Sequence, residues 1–256
     1  MFFDSHCHLT AEQFDVDRDA VIQRAVDAGV TRLLTLATDV ESSRAVIALA
    51  EKFDVVFCAI GIHPESVRDS SLDDLILIRE LAKHPKVAAI GEIGLDFYWD
   101  KTTADAQQTF FETQLELAAE LNLPVVIHDR DAHEKILGTL REMRELKELR
   151  GVLHAFSGDE AMAREAFDLG YVISFGGPIT FKNNKRAPDL LRALPLEKIL
   201  IETDSPYLTP HPFRGKRNEP LHVRYVAERI AEVKNLSIEQ VAAQTTSNAK
   251  KLFRVM

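Results

Sequence analysis

The sequence predicts a single α/β domain of 256 residues in which eight parallel strands close into a (β/α)8 TIM barrel. Short apolar runs recur along the whole chain, and most neighbouring runs are separated by a stretch with the spacing of an amphipathic helix. No linker rich in Pro, Gly or Ser divides the chain, so residues 1–256 are expected to form one domain. Buried strands that alternate with helices are typical of a parallel sheet, and eight such units close a barrel.

The predicted strands are nearly continuous apolar runs, as expected of strands that helices cover. In chain order they are Phe2-Phe3, RLLTLAT (32–38), VVFCAIGIH (55–63), VAAIGEIG (87–94), LPVVIH (123–128), GVLHAF (151–156), YVISFGG (171–177) and KILIETD (198–204). The rival architecture, an open doubly wound sheet, normally carries a Gly-rich phosphate loop after its first strand. The corresponding segment here, SHCHLT (5–10), has no glycine, which favours the barrel.

Predicted helices connect most of these strands and would form the outer layer of the barrel. Helical spacing extends over 16–28, 40–52, 72–83, 104–121, 132–148 and 159–169, whereas the segment between the last two strands is shorter. Two further helices, at about 217–233 and 237–248, follow the eighth strand and are expected to complete the outer ring.

The composition predicts a globular protein of the cytoplasm. Hydrophobic residues make up 46% of the chain and charged residues 28%, and no apolar run approaches the length of a membrane span. Asp4 and His6 interrupt the amino-terminal apolar run too early for a signal peptide. Cys7 and Cys58 both lie in predicted strands, so we expect no structural disulfide. We therefore expect no membrane association, whereas the sequence carries no prediction of oligomeric state.

The net charge limits the kinds of partner that the protein can have. A formal charge of -9 argues against a protein that coats nucleic acid non-specifically, because neutralising many phosphates needs a basic surface. The charge does not exclude an enzyme that binds one phosphodiester locally.

The segment DSHCH (4–8) contains the first candidate metal ligands in the chain. In an extended strand, residues two apart project from the same face, so His6 and His8 point one way and Cys7 points the other. Both imidazoles can therefore reach one metal ion, whereas Cys7 is not expected to act as a nucleophile. A single H-x-H pair is a weak signal unless further ligands converge on it.

Further potential ligands lie at or near the carboxyl ends of other predicted strands. In a TIM barrel these ends meet at one face, where catalytic sites are found. Two ions bridged by Glu92 would use the whole set, with His6, His8 and Asp204 on one ion and His128 and His154 on the other. Four imidazoles favour Zn, Mn, Co or Ni over Mg, although metal availability can override this preference.

Structural roles remain open for some of these residues. His128 and His154 could instead be core histidines that bind no metal. A carboxylate at the end of a buried strand is costly unless it is paired, which favours a cation beside Glu92 and Asp204. Glu202 lies on the same side of its strand as Asp204, where it would either orient a ligand or make a structural hydrogen bond.

Six segments together resemble the TatD family of metal-dependent deoxyribonucleases. They are FFDSHCHL, GEIGLD, PVVIHDRDAHEK, HAFSG, ETDSP and FRGKRNEP, in this order from residue 2 to about 220. The resemblance implies a TIM-barrel hydrolase, commonly assigned as a DNase, whose metal ligands fall on His6, His8, Glu92, His128, His154 and Asp204. Thr10 stands where the family usually has Asp or Asn, but this position lies outside the ligand set.

Two divalent cations held by two carboxylates leave a surplus of positive charge, which suits an anionic phosphate. Asp204 is the expected proton acceptor and Glu92 the expected bridge, so both are the predicted catalytic residues. The predicted activity is hydrolysis of phosphodiester bonds, most simply those of DNA.

Several basic and aromatic residues are candidates for contact with the substrate. The loops after the last two strands carry a basic rim, which could bind phosphate or be a solvated charge cluster. Its members are Lys182, Lys185, Arg186, Arg214, Lys216 and Arg217. His63 and Arg130 are further candidates for phosphate contacts. The aromatic run in DFYWD (96–100) could stack a nucleobase, but is expected to pack its loop onto the barrel.

Two other functions fit parts of this pattern. An amidohydrolase acting on a cyclic amide or ester could also begin with H-x-H, but many such barrels bridge their metals through a modified lysine where this chain has Glu92. A non-catalytic nucleic-acid-binding protein could retain the barrel as a scaffold, but the complete ligand set and the net charge of -9 argue against it.

Overall fold

A computed structural model of the chain describes residues 1–99, 101–146 and 149–255, and its strands form one parallel sheet of eight in sequence order. The strands are β1 (Phe2–Cys7), β2 (Val30–Leu36), β3 (Val56–Ile60), β4 (Val87–Asp96), β5 (Val125–Arg130), β6 (Gly151–Leu153), β7 (Tyr171–Phe175) and β8 (Ile199–Ile201). Every predicted strand is present. The ends differ by a few residues, because hydrogen bonding to the neighbouring strand decides where a strand stops.

The sheet closes beyond the last residue of β8. Cys7 and Ser205 form a parallel bridge, in which the His8 N–H donates to the Ser205 carbonyl oxygen at 2.7 Å. The Asp204 N–H also donates to the carbonyl oxygen of His6 at 2.9 Å. These contacts join the first strand to the last, so the predicted (β/α)8 barrel is confirmed.

Helices cover the outside of the barrel. They are α1 (Arg18–Asp27), α2 (Val40–Lys52), α3 (Asp74–Leu81), α4 (Ala104–Leu121), α5 (His133–Glu142), α6 (Glu160–Asp168), α7 (Ala187–Ala193), α8 (Val223–Lys234) and α9 (Ile238–Phe253). The helix predicted over 132–148 ends at Glu142, and residues 147 and 148 lie outside the described part. The helix predicted from 217 begins only at Val223, because a short 3-10 turn, Pro220–His222, precedes it.

The amino-terminal end of the barrel is covered by α9. Phe253 packs against Phe3 with ring centroids 5.9 Å apart, within a buried cluster that includes Leu36 and Leu200. The Asn248 side chain donates hydrogen bonds to the carbonyl oxygens of Leu196 and Ile199 at the start of β8. The carboxyl ends of the strands therefore provide the open face of the barrel.

One glycine decides how closely two strands that carry site residues approach each other. Gly94 in β4 has φ +142, and a Cβ there would lie 2.0 Å from the carbonyl oxygen of His128 in β5. Any side chain at this position would push the two strands apart.

Across the described part of the chain, no helix combines the length and the apolar character that crossing a bilayer requires.

Candidate metal centre

The structure brings the six predicted ligands together at the carboxyl ends of the strands. We call His6, His8, Glu92, His128, His154 and Asp204 the ligand cluster. All but His6 line a cavity of about 1170 Å³ that opens at this face of the barrel. His6 is fully buried.

One half of the cluster has the spacing of a tetrahedral metal site. The Nε2 atoms of His6 and His8 are 3.1 Å apart, and they lie 3.5 and 3.6 Å from Glu92 Oε2. Asp204 Oδ1 is 3.5 Å from His6 Nε2 and 3.3 Å from His8 Nε2. Ligand atoms about 2.1 Å from a tetrahedral ion lie about 3.4 Å from one another. The five distances given above are close to this spacing, and His6, His8 and Glu92 lie close enough together to hold one divalent cation.

The other half of the cluster surrounds the second oxygen of the same carboxylate. Glu92 Oε1 lies 2.9 Å from His128 Nδ1 and 2.7 Å from His154 Nε2, and these two nitrogens are 3.3 Å apart. Each oxygen of Glu92 thus faces a different pair of imidazoles. This arrangement suits a carboxylate that bridges two cations.

A residue that the sequence analysis missed orients His128. The Nε2 atom of His128 lies 2.9 Å from Asp96 Oδ2, at the end of β4, and Asp96 is buried. If Nε2–H donates to this carboxylate, the lone pair on Nδ1 is free for a cation, as in many metal-binding histidines. Glu92 and Asp96 are four residues apart on one strand, so their side chains project from the same face. This spacing is the feature of the sequence that could have identified Asp96.

Glu202 lies behind His154, where the sequence analysis considered a role in orienting a ligand. Its Oε1 atom accepts a hydrogen bond from the Ala155 N–H at 2.6 Å and is 3.6 Å from His154 Nδ1. His154 Nδ1 and Glu202 Oε2 are both buried, and neither has a hydrogen-bond partner among the described residues. A small shift of the imidazole would bring Nδ1–H onto this carboxylate and leave Nε2 for a cation.

His63 also reaches the cluster, but its hydrogen bonds indicate a donor rather than a ligand. Its Nδ1 atom accepts from the Glu65 N–H at 3.1 Å, so the neutral ring carries its proton on Nε2. This Nε2 is 3.6 Å from Glu92 Oε1. His63 can therefore donate a hydrogen bond to this carboxylate or to a bound oxygen, consistent with its predicted contact to phosphate.

The electrostatics of the cluster favour ionised carboxylates. Burial raises the pKa of Glu92, but the surrounding imidazoles, led by His154 and His6, outweigh it and hold this pKa well below its usual range. Burial also opposes protonation of His128, yet the hydrogen bonds with Asp96 and Glu92 raise its pKa to about 9. Negative charge at the centre thus attracts protons when no metal is bound, and a cation would compete for the same sites.

Asp204 is held in an unusual backbone conformation. Its φ is +56, in the left-handed region that only a few non-glycine residues adopt. Its side chain is 13% exposed, and its hydrogen bond with His8 helps to keep its pKa below the usual value despite burial. The fold thus maintains a sterically unfavourable conformation at this carboxylate, as is common at functional sites.

The predicted basic rim is only partly at the cavity. Of its six residues, Arg186 lines the cavity, whereas Arg214, Arg217 and the three lysines do not; Arg130, which lies outside the rim, also lines it. Arg217 forms ion pairs with Asp17 and Glu219 at 2.7 and 2.9 Å. Arg214 lies over the Phe181 ring, 4.2 Å from its centroid. Arg214 and Arg217 thus make contacts of their own away from the cavity lining, and their contact with the substrate stays a prediction.

The aromatic run after β4 also differs from expectation. Phe97 packs against the core as predicted, but Tyr98 and Trp99 are 54% and 64% exposed. Asp100, the last residue of the run, lies outside the described residues. Cys7 is fully buried, and its Sγ–H donates to the Leu34 carbonyl oxygen.

Comparison with known proteins identifies relatives along the whole chain. The family model described as TatD related DNase matches residues 3–254. A Bacillus subtilis protein, named as the uncharacterized metal-dependent hydrolase YabD, is 46% identical over 255 residues and aligns over 100% of both chains. The Citrobacter rodentium 3'-5' ssDNA/RNA exonuclease TatD is 39% identical, with 99% of this chain and 98% of that protein covered.

A solved structure supports the same relationship. The crystal structure of YjjV, a TatD homologue from Escherichia coli K12, superposes with a TM-score of 0.94 at 34% sequence identity. The match covers 100% of this chain and 98% of the other.

Proposed function

Because the chain belongs to the TatD-related DNase family of metal-dependent hydrolases, we propose that it cleaves the phosphodiester bonds of DNA with two divalent cations. The observation that carries the proposal is the position of Glu92, whose two oxygens each face a different pair of imidazoles. The name of the Citrobacter relative supports single-stranded nucleic acid as the substrate.

The ligand cluster divides into two sets of protein ligands that share Glu92. His6, His8 and Asp204 would hold one cation, and His128 and His154 the other. Zn, Mn, Co and Ni suit this number of imidazoles better than Mg. When bound, two such cations supply positive charge for the phosphate oxygens and Lewis-acid activation of water.

The residues of the chain then handle the proton and the phosphate. Asp204, whose carboxylate is ionised and reaches the cavity, accepts the proton of the attacking water as its oxygen bonds to phosphorus. The bond between phosphorus and the leaving oxygen breaks as the new bond forms. His63 donates Nε2–H and Arg130 its guanidinium to the phosphate oxygens, which holds the phosphodiester at the cluster.

The size of the cavity favours a polymer over a small cyclic amide. Its volume of about 1170 Å³ exceeds the roughly 300–1,000 Å³ of most small-molecule pockets. The arginines that line it suit an anionic chain. The expected cytoplasmic location stays a prediction.

A metal-reconstituted activity screen tests this proposal. Chelated protein is supplied with Mn, Zn, Co, Ni or Mg and assayed on single-stranded DNA, duplex DNA, RNA, a generic phosphodiester and cyclic amides. We expect DNA hydrolysis that chelation abolishes and Mn or Zn restores. Glu92→Gln should lose metal occupancy and activity, whereas Glu239→Gln, an exposed control on α9, should retain both. Full activity in a demonstrably metal-free preparation, or a preference for cyclic amides, contradicts the proposal.

A further inference from the structure

Two large aromatic side chains lie exposed beside the metal centre. Tyr98 and Trp99, which are 54% and 64% exposed, follow β4, and their ring centroids are 4.7 Å apart at an interplanar angle of 88°. The guanidinium carbon of Arg130 lies 4.0 Å from the Tyr98 ring centroid and 5.2 Å from that of Trp99. We call Tyr98, Trp99 and Arg130 the aromatic rim. Adjacent exposed aromatic side chains beside a functional cavity are a feature of ligand-binding surfaces.

The aromatic rim is fixed relative to the ligand cluster. The backbone N–H groups of Tyr98 and Trp99 donate to Asp96 Oδ1 at 2.9 and 3.3 Å. The other oxygen of this carboxylate holds His128 at 2.9 Å. One buried carboxylate therefore positions both a metal ligand and the aromatic loop, and Trp99 and Arg130 line the same cavity as the ligand cluster.

The chemistry of the aromatic rim matches a nucleotide. A flat apolar ring beside a guanidinium offers stacking for a base and a positive charge for the phosphate that follows it. Stacking on an aromatic side chain tolerates any base, because every base has a π-face. Bases in a duplex already stack on their neighbours, so their faces are not available.

We propose that Trp99, supported by Tyr98 and Arg130, is a stacking site for an unpaired nucleobase of the strand whose phosphate lies at the ligand cluster. This inference rests on the proposed nuclease function. The aromatic rim thereby selects single-stranded over duplex nucleic acid without reading sequence, and Arg130 contacts a phosphate of the bound strand.

Trp99 is the one tryptophan in the chain, so its fluorescence reports this contact directly. The titrant is oligothymidylate of about ten nucleotides, within the usual range of single-strand binding sites. The control titrant is an abasic oligomer of the same length, which keeps every phosphate and lacks the bases. We expect oligothymidylate to quench the fluorescence and the abasic oligomer to have little effect. Equal quenching by both, or by neither, overturns the proposal.

Kinetics of variants provide a second test. Trp99→Ala should raise KM for single-stranded DNA by roughly 5- to 150-fold, the range expected for loss of one stacked base. The loss should fall on KM rather than kcat, and Trp99→Phe should restore part of the affinity. Ile76→Ala, which alters a 60% exposed side chain on α3, is the matched control and should leave KM unchanged. An unchanged KM in Trp99→Ala overturns the proposal.

The two experiments separate this inference from the proposed function. Fluorescence is measured on metal-loaded protein and also on chelated protein, in which no hydrolysis occurs. Quenching without hydrolysis under any metal would refute the nuclease and leave the stacking site standing. Hydrolysis of DNA without quenching would refute the stacking site and leave the proposed nuclease activity standing. Because stacking involves the base and not the sugar, oligouridylate is expected to quench the fluorescence as oligothymidylate does.

Discussion

At the scale of single residues, the position of Glu92 between two pairs of imidazoles determines how the centre can bind cations. Glu92 is 2% exposed, and both of its oxygens contact imidazoles. A buried carboxylate without such neighbours would be protonated. Here the surrounding imidazoles keep it ionised, so it can attract cations on both sides.

Asp204 is expected to carry the proton transfer. Asp204→Asn keeps the shape of the side chain but removes a charged ligand and the proton acceptor. We expect kcat on single-stranded DNA to fall by at least ~100-fold. Steady-state kinetics with saturating Mn measure this, with metal content checked in parallel. Turnover near that of the unmodified protein would show that another group accepts the proton.

Asp96 is expected to act on metal affinity through His128. Asp96→Asn removes the charge that makes this imidazole a better ligand, so metal affinity should fall about 10- to 100-fold. Isothermal titration of the chelated protein with Zn measures the change. Asp54→Asn, at an exposed position, is the control. An unaltered affinity would mean that Asp96 only anchors the aromatic loop.

At the scale of elements, ion pairs between arginines and carboxylates hold the loop between β8 and α8 against α1. Asp17, just before α1, accepts hydrogen bonds from Arg217 at 2.7 and 2.8 Å, and Glu219 accepts from Arg24. Hydrogen bonds, first from Arg217 and then from Arg24, hold the pKa of Asp17 below its ordinary value. The same arginines lower the pKa of Glu219 although burial raises it.

Removing the ion pairs of Arg217 should lower the thermal stability of the protein, by an amount that depends on pH. Because both carboxylates have a lower pKa in the folded chain, their contribution is complete above about pH 5 and is lost as they become protonated in acid. Arg217→Met should therefore lower Tm at pH 7 by a few degrees, at most about 4 °C. The difference should shrink below about pH 4. Arg192→Met, an exposed control on α7, should show no such trend in thermal scans.

The loops after β7 and β8 differ in whether their arginines line the cavity. Arg186 lines the cavity, whereas Arg214 lies over Phe181 and does not. Arg186→Gln should raise KM for single-stranded DNA and lower the slope of log affinity against log salt by roughly 0.7. Arg214→Gln should leave the slope unchanged. Equal effects of the two variants would show that Arg214 also contacts the substrate.

At the scale of the whole molecule, the barrel and the ligand cluster could be predicted because they follow from periodicity. Apolar runs mark the strands, and parallel strands bring their carboxyl ends to one face, so His6 and Asp204 become neighbours despite their distance in sequence. Contacts between loops leave no such signal. The pairing of Arg217 with Asp17 and the exposure of Trp99 depend on where loops fold back, which no local pattern specifies.

The central claim is that Glu92 joins two cations, and anomalous diffraction from Mn-loaded crystals tests it most directly. The account predicts two anomalous peaks about 3.5–4 Å apart, one beside Glu92 Oε2, His6 and His8 and the other beside Glu92 Oε1, His128 and His154. A single peak at full Mn occupancy, or two peaks that do not share Glu92, would contradict it.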